Sequence, residues 1–148
     1  MTPRDLAVKV AWSFLGRPYL WGGDDPMAGF DCSGFVIEIL KSAGVLSNKG
    51  DWTADQLYEM FKRQGNYVMR PFTGTLAFWI NFPDSSRIRH VEFCLSSEFT
   101  IGASGGDSKV KTELDAIRKN AYIKIRPLNY SDSDLFGFVD PFMKAISE

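Results

Sequence analysis

Cys32 and His90 are the residues in this 148-residue chain whose types and placement could do covalent chemistry together. Cys32 follows the loop-forming run PYLWGGDDPMAGFD, then opens an apolar pattern of Phe35, Val36, Ile39, Leu40 and Ala43. That stripe has helical spacing, so Cys32 falls in a first helical turn with Asp31 as N-cap. A free thiol has a pKa of about 8.5, and only its thiolate attacks carbonyls. Unpaired N–H groups and the aligned peptide dipoles of a helix start favour a negative charge there, and they can also donate to a developing oxyanion. A nucleophile needs a base, and His90 is the single histidine. In HVEFCL, Val91, Phe93 and Leu95 alternate with His90, Glu92 and Cys94, so the imidazole and Glu92 project from one strand face. The combination points to acyl transfer through a thiolate–imidazolium pair. Each residue alone also has a plainer reading, as a hydrogen-bonded core histidine or a small buried hydrophobe. Cys94 shares the parity of His90 but lacks the helix start, and it reads as a passive buried thiol.

The rest of the chain must build the elements that hold this pair. Thr2 with Asp5 forms a capping-box pattern, Pro3 suits a first helical position, and Gly16 supplies a stop, which predicts a helix over about 3–15. Residues 17–31 read as a loop. The Cys32 helix ends at Gly44. A third helix over about 54–64 is announced by Thr53 and Gln56, with Trp52 placed to staple onto Leu57 and Gly65 to end it. Then the period changes. YVMR (67–70), TLAFWI (75–80), IRHVEFCL (88–95), EFTIGA (98–103) and AYIKIRP (121–127) are β-rich runs between turn residues. Helices first and strands later predict an α+β domain, with N-terminal helices packed on one side of a central antiparallel sheet. Residues 104–120 read as a loop with one helical turn near 113–118. From Ser131 no element is assigned, except that Asp140 and Pro141 could begin a short final helix.

Composition narrows the function classes. The length suits a single domain, 1–148. Seventeen basic and eighteen acidic residues nearly cancel, and no segment is extensively basic, which argues against nucleic-acid binding. RIRH at 87–90 is the densest basic patch; it reads as a solvated strand end or as an attractor of acidic substrate. No apolar run reaches the roughly 18 residues of a membrane span. The amphipathic start MTPRDLAVKVAWSF, with Asp5 and Lys9, lacks a secretory signal's apolar core, so cytoplasmic synthesis without self-export is expected. Two distant cysteines and one histidine make neither a disulfide framework nor a zinc spacing.

Taken in order, PYLWGG, FDCSGFV, GTLAFW, HVEFCL and FTIGAS resemble the NlpC-type peptidases, papain-like cysteine enzymes that cut bacterial cell-wall peptides. The family pattern is Tyr-x-Trp-Gly-Gly, then Asp-Cys-Ser-Gly at a helix start, then His-Val-Gly-Ile-Tyr on a strand. The resemblance runs over about 3–104 in the family's order, cysteine before histidine. It implies a papain-like NlpC-type fold, with Cys32 as nucleophile and His90 as general base and then acid. Tyr19 matches the tyrosine beside the thiol that helps hold the oxyanion or substrate; its plainer reading is a packing aromatic. Asp31 and Ser33 match the pair that receives the free amine of an L-alanyl-γ-D-glutamyl stem peptide. Gly22 and Gly23 match glycines that permit a tight loop, and Trp21 reads as packing. The loop DDPMAG at 24–29 is longer than the shortest family versions. No metal or organic cofactor is implied, and nothing addresses oligomeric state.

One departure bears on activity. The family's third polar residue, which orients the base, aligns with Gly102, and glycine cannot orient an imidazole. Three explanations stay open. A three-residue loop, Ser96–Glu98, would place Glu92 opposite Gly102 on the His90 face, so that a carboxylate fills the space glycine leaves. A backbone carbonyl, a water or Ser104 could orient the ring instead. Or the site is weakened or dead.

The expected function is a cysteine endopeptidase or related amidase acting on murein stem peptides, at the γ-D-glutamyl bond to diaminopimelate or lysine. Its route to the wall would be lysis, a phage particle or another secretion path, unless it trims imported muropeptides. The rival reading is a catalytically weakened or inactive NlpC-like module that binds peptide or serves a phage tail; a thiol acyltransferase ranks third.

Overall fold

The computed structural model describes residues 1–25, 29–47, 52–81, 84–106, 109–130 and 135–143. The elements are α1 (Pro3–Ser13), β1 (Asp24–Asp25), β2 (Gly29–Phe30), α2 (Cys32–Ser42), α3 (Ala54–Arg63), β3 (Tyr67–Val68), β4 (Leu76–Asn81), β5 (Asp84–Cys94), β6 (Phe99–Ser104), α4 (Glu113–Lys119), β7 (Tyr122–Pro127) and β8 (Leu135–Val139).

Local capping chemistry decides where the helices start. Thr2 Oγ1 accepts the Asp5 N–H at 3.1 Å while the Asp5 carboxylate accepts the Thr2 N–H at 3.0 Å. Thr53 and Gln56 repeat the arrangement at 3.1 and 2.9 Å. Each such cap is worth about 1 kcal/mol. Gly16 and Gly44, with φ of +90° and +79°, let the chain turn off α1 and α2. α4 is longer than the single turn expected, because Thr112 and Asp115 form a third capping box at its start.

Six strands form one antiparallel sheet in the order β3-β8-β4-β5-β6-β7. Side chains alternate across it, as the two-residue period requires. Leu76, Phe78, Val91, Phe93, Ile101, Ala103, Ile123 and Val139 face the helices and join Phe35, Val36, Ile39, Leu40, Leu57 and Phe61 in the main core. Removing side chains of this size from water contributes roughly 1.5–3 kcal/mol each, and α2 is the centre of that burial, with Phe35, Val36, Ile39 and Leu40 fully covered. Trp52 packs at the margin of this core. The opposite face carries a smaller cluster of Ala77, Trp79 and Cys94, covered by Leu128, Leu135 and Phe138. The α+β expectation of helices on one side of an antiparallel sheet therefore holds.

Three features differ from the sequence reading. The segment left without an element contains β8, an interior strand between β3 and β4. Its apolar residues LFGFV are wanted on both faces, so they lack the alternation of a half-exposed strand. Pro141 and Phe142 form a turn rather than opening a helix, and residues 144–148 lie outside the described part. Asp140 instead takes both ends of the Arg4 guanidinium, at 3.0 and 2.9 Å, and so ties α1 to the end of β8. Finally, the 17–31 loop contains the short β1–β2 pair; positions 26–28 of DDPMAG lie outside the described residues. Among those described, no helix is long and apolar enough to cross a membrane.

Candidate active site

The start of α2 is held by the loop that precedes it. Asp31 Oδ1 accepts the Gly34 N–H at 2.8 Å and faces the Ser33 hydroxyl at 3.5 Å, while Oδ2 accepts the Gly22 N–H at 3.0 Å. The Asp31 N–H donates to Gly23 O at 3.1 Å. Gly34 has to be glycine for this to happen: a Cβ there would press into Gly23 O and lie 2.8 Å from Asp31 Oδ1. Thus WGG and DCSG form one interlocked unit, and Asp31 both caps the helix and pins the loop.

Cys32 opens α2 as a partly exposed free thiol at the floor of a cleft of about 830 Å³. Tyr19, Trp21, Asp31, Ser33 and His90 line the same cleft. Tyr19 is 5% exposed, with its backbone N–H on Ala121 O at 3.1 Å and its ring filling the space beside Gly106. Trp21 is corrected by the structure: it is 55% exposed on the cleft wall rather than packed. Its backbone is fixed by a 2.7 Å bond from its N–H to Val110 O, which leaves the ring outside the core. Of RIRH, Ile88 is buried, Arg89 is exposed and lines the cleft, and His90 lies beside Cys32.

His90 comes from β5, opposite Trp79 of β4, with its side chain only 12% exposed. Its Nε2 meets Glu92 Oε2 at 2.5 Å. The Cys32 thiol is the ring's other polar side-chain partner, for which Nδ1 remains. Burial alone would drive the imidazole toward its neutral form. Its side-chain interactions with Cys32 and Glu92 and the electrostatic pull of both groups outweigh that and hold its pKa well above the ordinary histidine value.

Glu92 is fully buried on the same face. The register Phe93↔Ile101 and Cys94↔Thr100 carries it across from Gly102, whose missing side chain makes the room. A Cβ on Gly102 would lie 2.8 Å from Glu92 Cδ and closer still to its Cγ. A buried carboxylate is tolerated only when its lone pairs are satisfied. Here Oε1 accepts the Thr100 hydroxyl at 2.6 Å, and Oε2 accepts Arg126 at 2.8 Å and the Tyr130 hydroxyl at 3.2 Å in addition to His90. Desolvation would raise its pKa, but His90, Arg126 and Thr100 together hold it well below the usual carboxylate range. Of the groups considered for orienting His90, this carboxylate is the one on Nε2. Ser104 lies elsewhere on the cleft wall.

Arg126, Tyr130, Thr100 and Trp79 escaped the sequence reading. Trp79 lies against the His90 ring at 5.4 Å and against Tyr130 at 5.7 Å. Only the parity of AYIKIRP could have hinted at Arg126, and that parity needs the register Thr100↔Arg126 before it means anything. Cys94 is fully buried in the second cluster, where desolvation pushes its thiol up to about 12. Among the described residues no three His, Cys, Asp or Glu side chains group to hold a metal ion.

With this geometry in place, the comparison with known proteins is specific. Residues 16–127 match the NlpC/P60 family. Protein P54 of Enterococcus faecium is 40% identical over 73 residues, which cover 49% of this chain and 13% of that protein. The gamma-D-glutamyl-L-lysine dipeptidyl-peptidase of Bacillus subtilis (strain 168) is 49% identical over 43 residues, 29% of this chain and 14% of that one. The matches therefore span about an eighth of each of these relatives. The crystal structure of the NlpC/p60 domain of the peptidoglycan hydrolase SagA superposes with a TM-score of 0.63 at 23% identity, over 92% of this chain and 97% of that domain. A cysteine at a helix start facing a strand histidine, on an antiparallel sheet matched over most of its length, makes this chain a member of the NlpC/P60 family with its papain-like α+β fold.

Proposed function

We propose that this protein is a cysteine endopeptidase that hydrolyses murein stem peptides at the γ-D-glutamyl bond to diaminopimelate or lysine. The observation that carries the reading is the relay of Cys32, His90 and Glu92, in which a helix-start thiol meets an imidazole whose other nitrogen rests on a buried carboxylate. The family membership supports the reaction class, and the name of the Bacillus subtilis relative supports the γ-glutamyl bond.

The Cys32 thiolate adds to the carbonyl carbon, and the oxygen gains the negative charge. Gly34 N–H is occupied by Asp31, so the N–H groups of Cys32 and Ser33, which have no acceptor within the helix, face that oxyanion together with the Tyr19 hydroxyl. His90 gives its proton to the departing amine and the C–N bond breaks, leaving a thioester on Sγ. Water then loses a proton to His90 and attacks the thioester, which releases the acid and restores the thiolate–imidazolium pair. Glu92 holds the ring orientation and stabilises its charge throughout. Asp31 and Ser33, at the cleft wall, receive the free amine of the L-alanyl end.

Incubation of the protein and of Cys32→Ala with L-Ala-γ-D-Glu-diaminopimelyl peptide, followed by mass spectrometry, tests this. Cleavage by the wild type alone is expected. Equal turnover by both forms, or none by either, removes the hydrolase reading for that substrate and favours a peptide-binding module.

A further inference from the structure

Gly102 does more than admit Glu92: it opens a path across β6, so a carboxylate from β5 meets an arginine from β7, two strands away. Arg126 and His90 bind the same oxygen, Oε2, at 2.8 and 2.5 Å. Arg126 cannot easily drift off, because its guanidinium carbon lies 3.4 Å from the centre of the Tyr130 ring and the Tyr130 hydroxyl returns to Oε2. Tyr130 in turn leans on Trp79, and Trp79 on His90, so the five residues close a ring. With the thiol ionised, the charges alternate along Cys32, His90, Glu92 and Arg126.

We infer that Arg126 is a positioning residue that sets how firmly His90 holds its proton, by sharing the carboxylate oxygen that would otherwise serve the imidazolium alone. A carboxylate devoted to one imidazolium makes it a weak acid, slow to protonate a leaving amine. A second cation on the same oxygen opposes that effect by direct charge repulsion, and burial of Glu92 keeps solvent from screening it. The other charged and titratable groups around this relay are engaged differently. Asp31 caps α2, and Arg89 Nε donates to Ile80 O at 3.1 Å. Lys124 Nζ donates to Asn120 O at 2.8 Å and lies over Tyr122. Asp55 accepts the Ile88 N–H at 3.1 Å, and Tyr19 borders the cleft.

The inference rests on His90 acting as acid and base in the proposed reaction, but its test needs no substrate. His90 is the single histidine of the chain, so its imidazole carbon resonances can be followed through a pH titration by NMR without assignment. Arg126→Met is expected to raise the His90 midpoint by about one pH unit, and Arg126→Lys to return most of that shift. Should Arg126→Met fail to fold, Arg126→Gln, which keeps a donor toward Glu92 without the charge, is expected to show the same rise. A midpoint in a folded Met or Gln variant that is unchanged or lower overturns the inference. Absence of peptide cleavage by the wild type, with the variant midpoints shifted as expected, would instead reject the peptidase reading and leave the role of Arg126 standing.

Discussion

Adding one methyl group at Gly102 should damage the site from the neighbouring strand, on the face that carries Glu92 and His90. The backbone there is outside the left-handed region, so alanine meets no conformational obstacle. The obstacle is Glu92, whose Cδ and Cβ would lie 2.8 and 3.1 Å from the new carbon. To relieve that overlap Glu92 must withdraw from His90, Arg126, Thr100 and Tyr130 together. Breaking a buried ion pair costs about 3–5 kcal/mol, and a loss of about 3 kcal/mol lowers Tm by roughly 6–12 °C in a chain of this size. Peptide cleavage should fall more than tenfold in kcat/KM, as it should for Glu92→Ala, whereas Ser104→Ala should not reach tenfold. The decisive measurement is the cycle. In the Glu92→Ala background the added methyl faces empty space, so Gly102→Ala should cause little further loss of rate or Tm, a coupling of at least about 2 kcal/mol between the two positions. Additive losses, or a Gly102→Ala protein with wild-type rate and stability, would refute the claim that glycine serves to seat the carboxylate.

Other outcomes follow from the same relay. Because the folded protein holds Glu92 below its ordinary range, that group's stabilisation is complete above about pH 4.5, its unfolded value, and is lost as pH falls toward about 2. Tm measured against pH should therefore drop less steeply on the acid side in Glu92→Gln than in the wild type, and parallel curves would count against the buried ion pair. His90 is shifted upward, so its contribution is complete below its unfolded value of about 6.5 and fades as pH rises through the higher folded value. The alkaline limb of kcat/KM should accordingly lie above the usual histidine range and move down in Glu92→Gln; an unmoved limb would separate Glu92 from the base. Gly34→Ala should cost more than tenfold in cleavage, since its Cβ would push Gly23 and the Asp31 cap away from Cys32, and a near-normal rate in that variant would show that the interlocked loop is dispensable.

What could be read from the letters was whatever short-range chemistry determines. Thr2 with Asp5 and Thr53 with Gln56 act over three residues, so the helix starts were legible, and so was Cys32 at the mouth of α2. The placement of Glu92 across from Gly102 was also legible, because a short hairpin links β5 to β6. Arg126 was not, since β7 returns to β6 only after α4 and its flanking segments. β8 was missed because Leu135, Phe138 and Val139 serve two core clusters on opposite faces, which erases the alternation that identifies a strand. Trp21 looked like a packing residue by type, yet its surroundings are decided by a backbone bond to Val110, some ninety positions downstream.

The late position of β8 has a consequence for biosynthesis. β4 pairs with β5 on one side, but its other neighbour is β8, the last strand among the described residues, so the sheet has an open inner seam until residue 139 clears the ribosome. A nascent polypeptide that already carries the complete thiol–imidazole–carboxylate relay would still expose that seam to other unpaired strands. Truncations or fusions made just after Tyr130 should therefore be judged first by whether they let β8 dock.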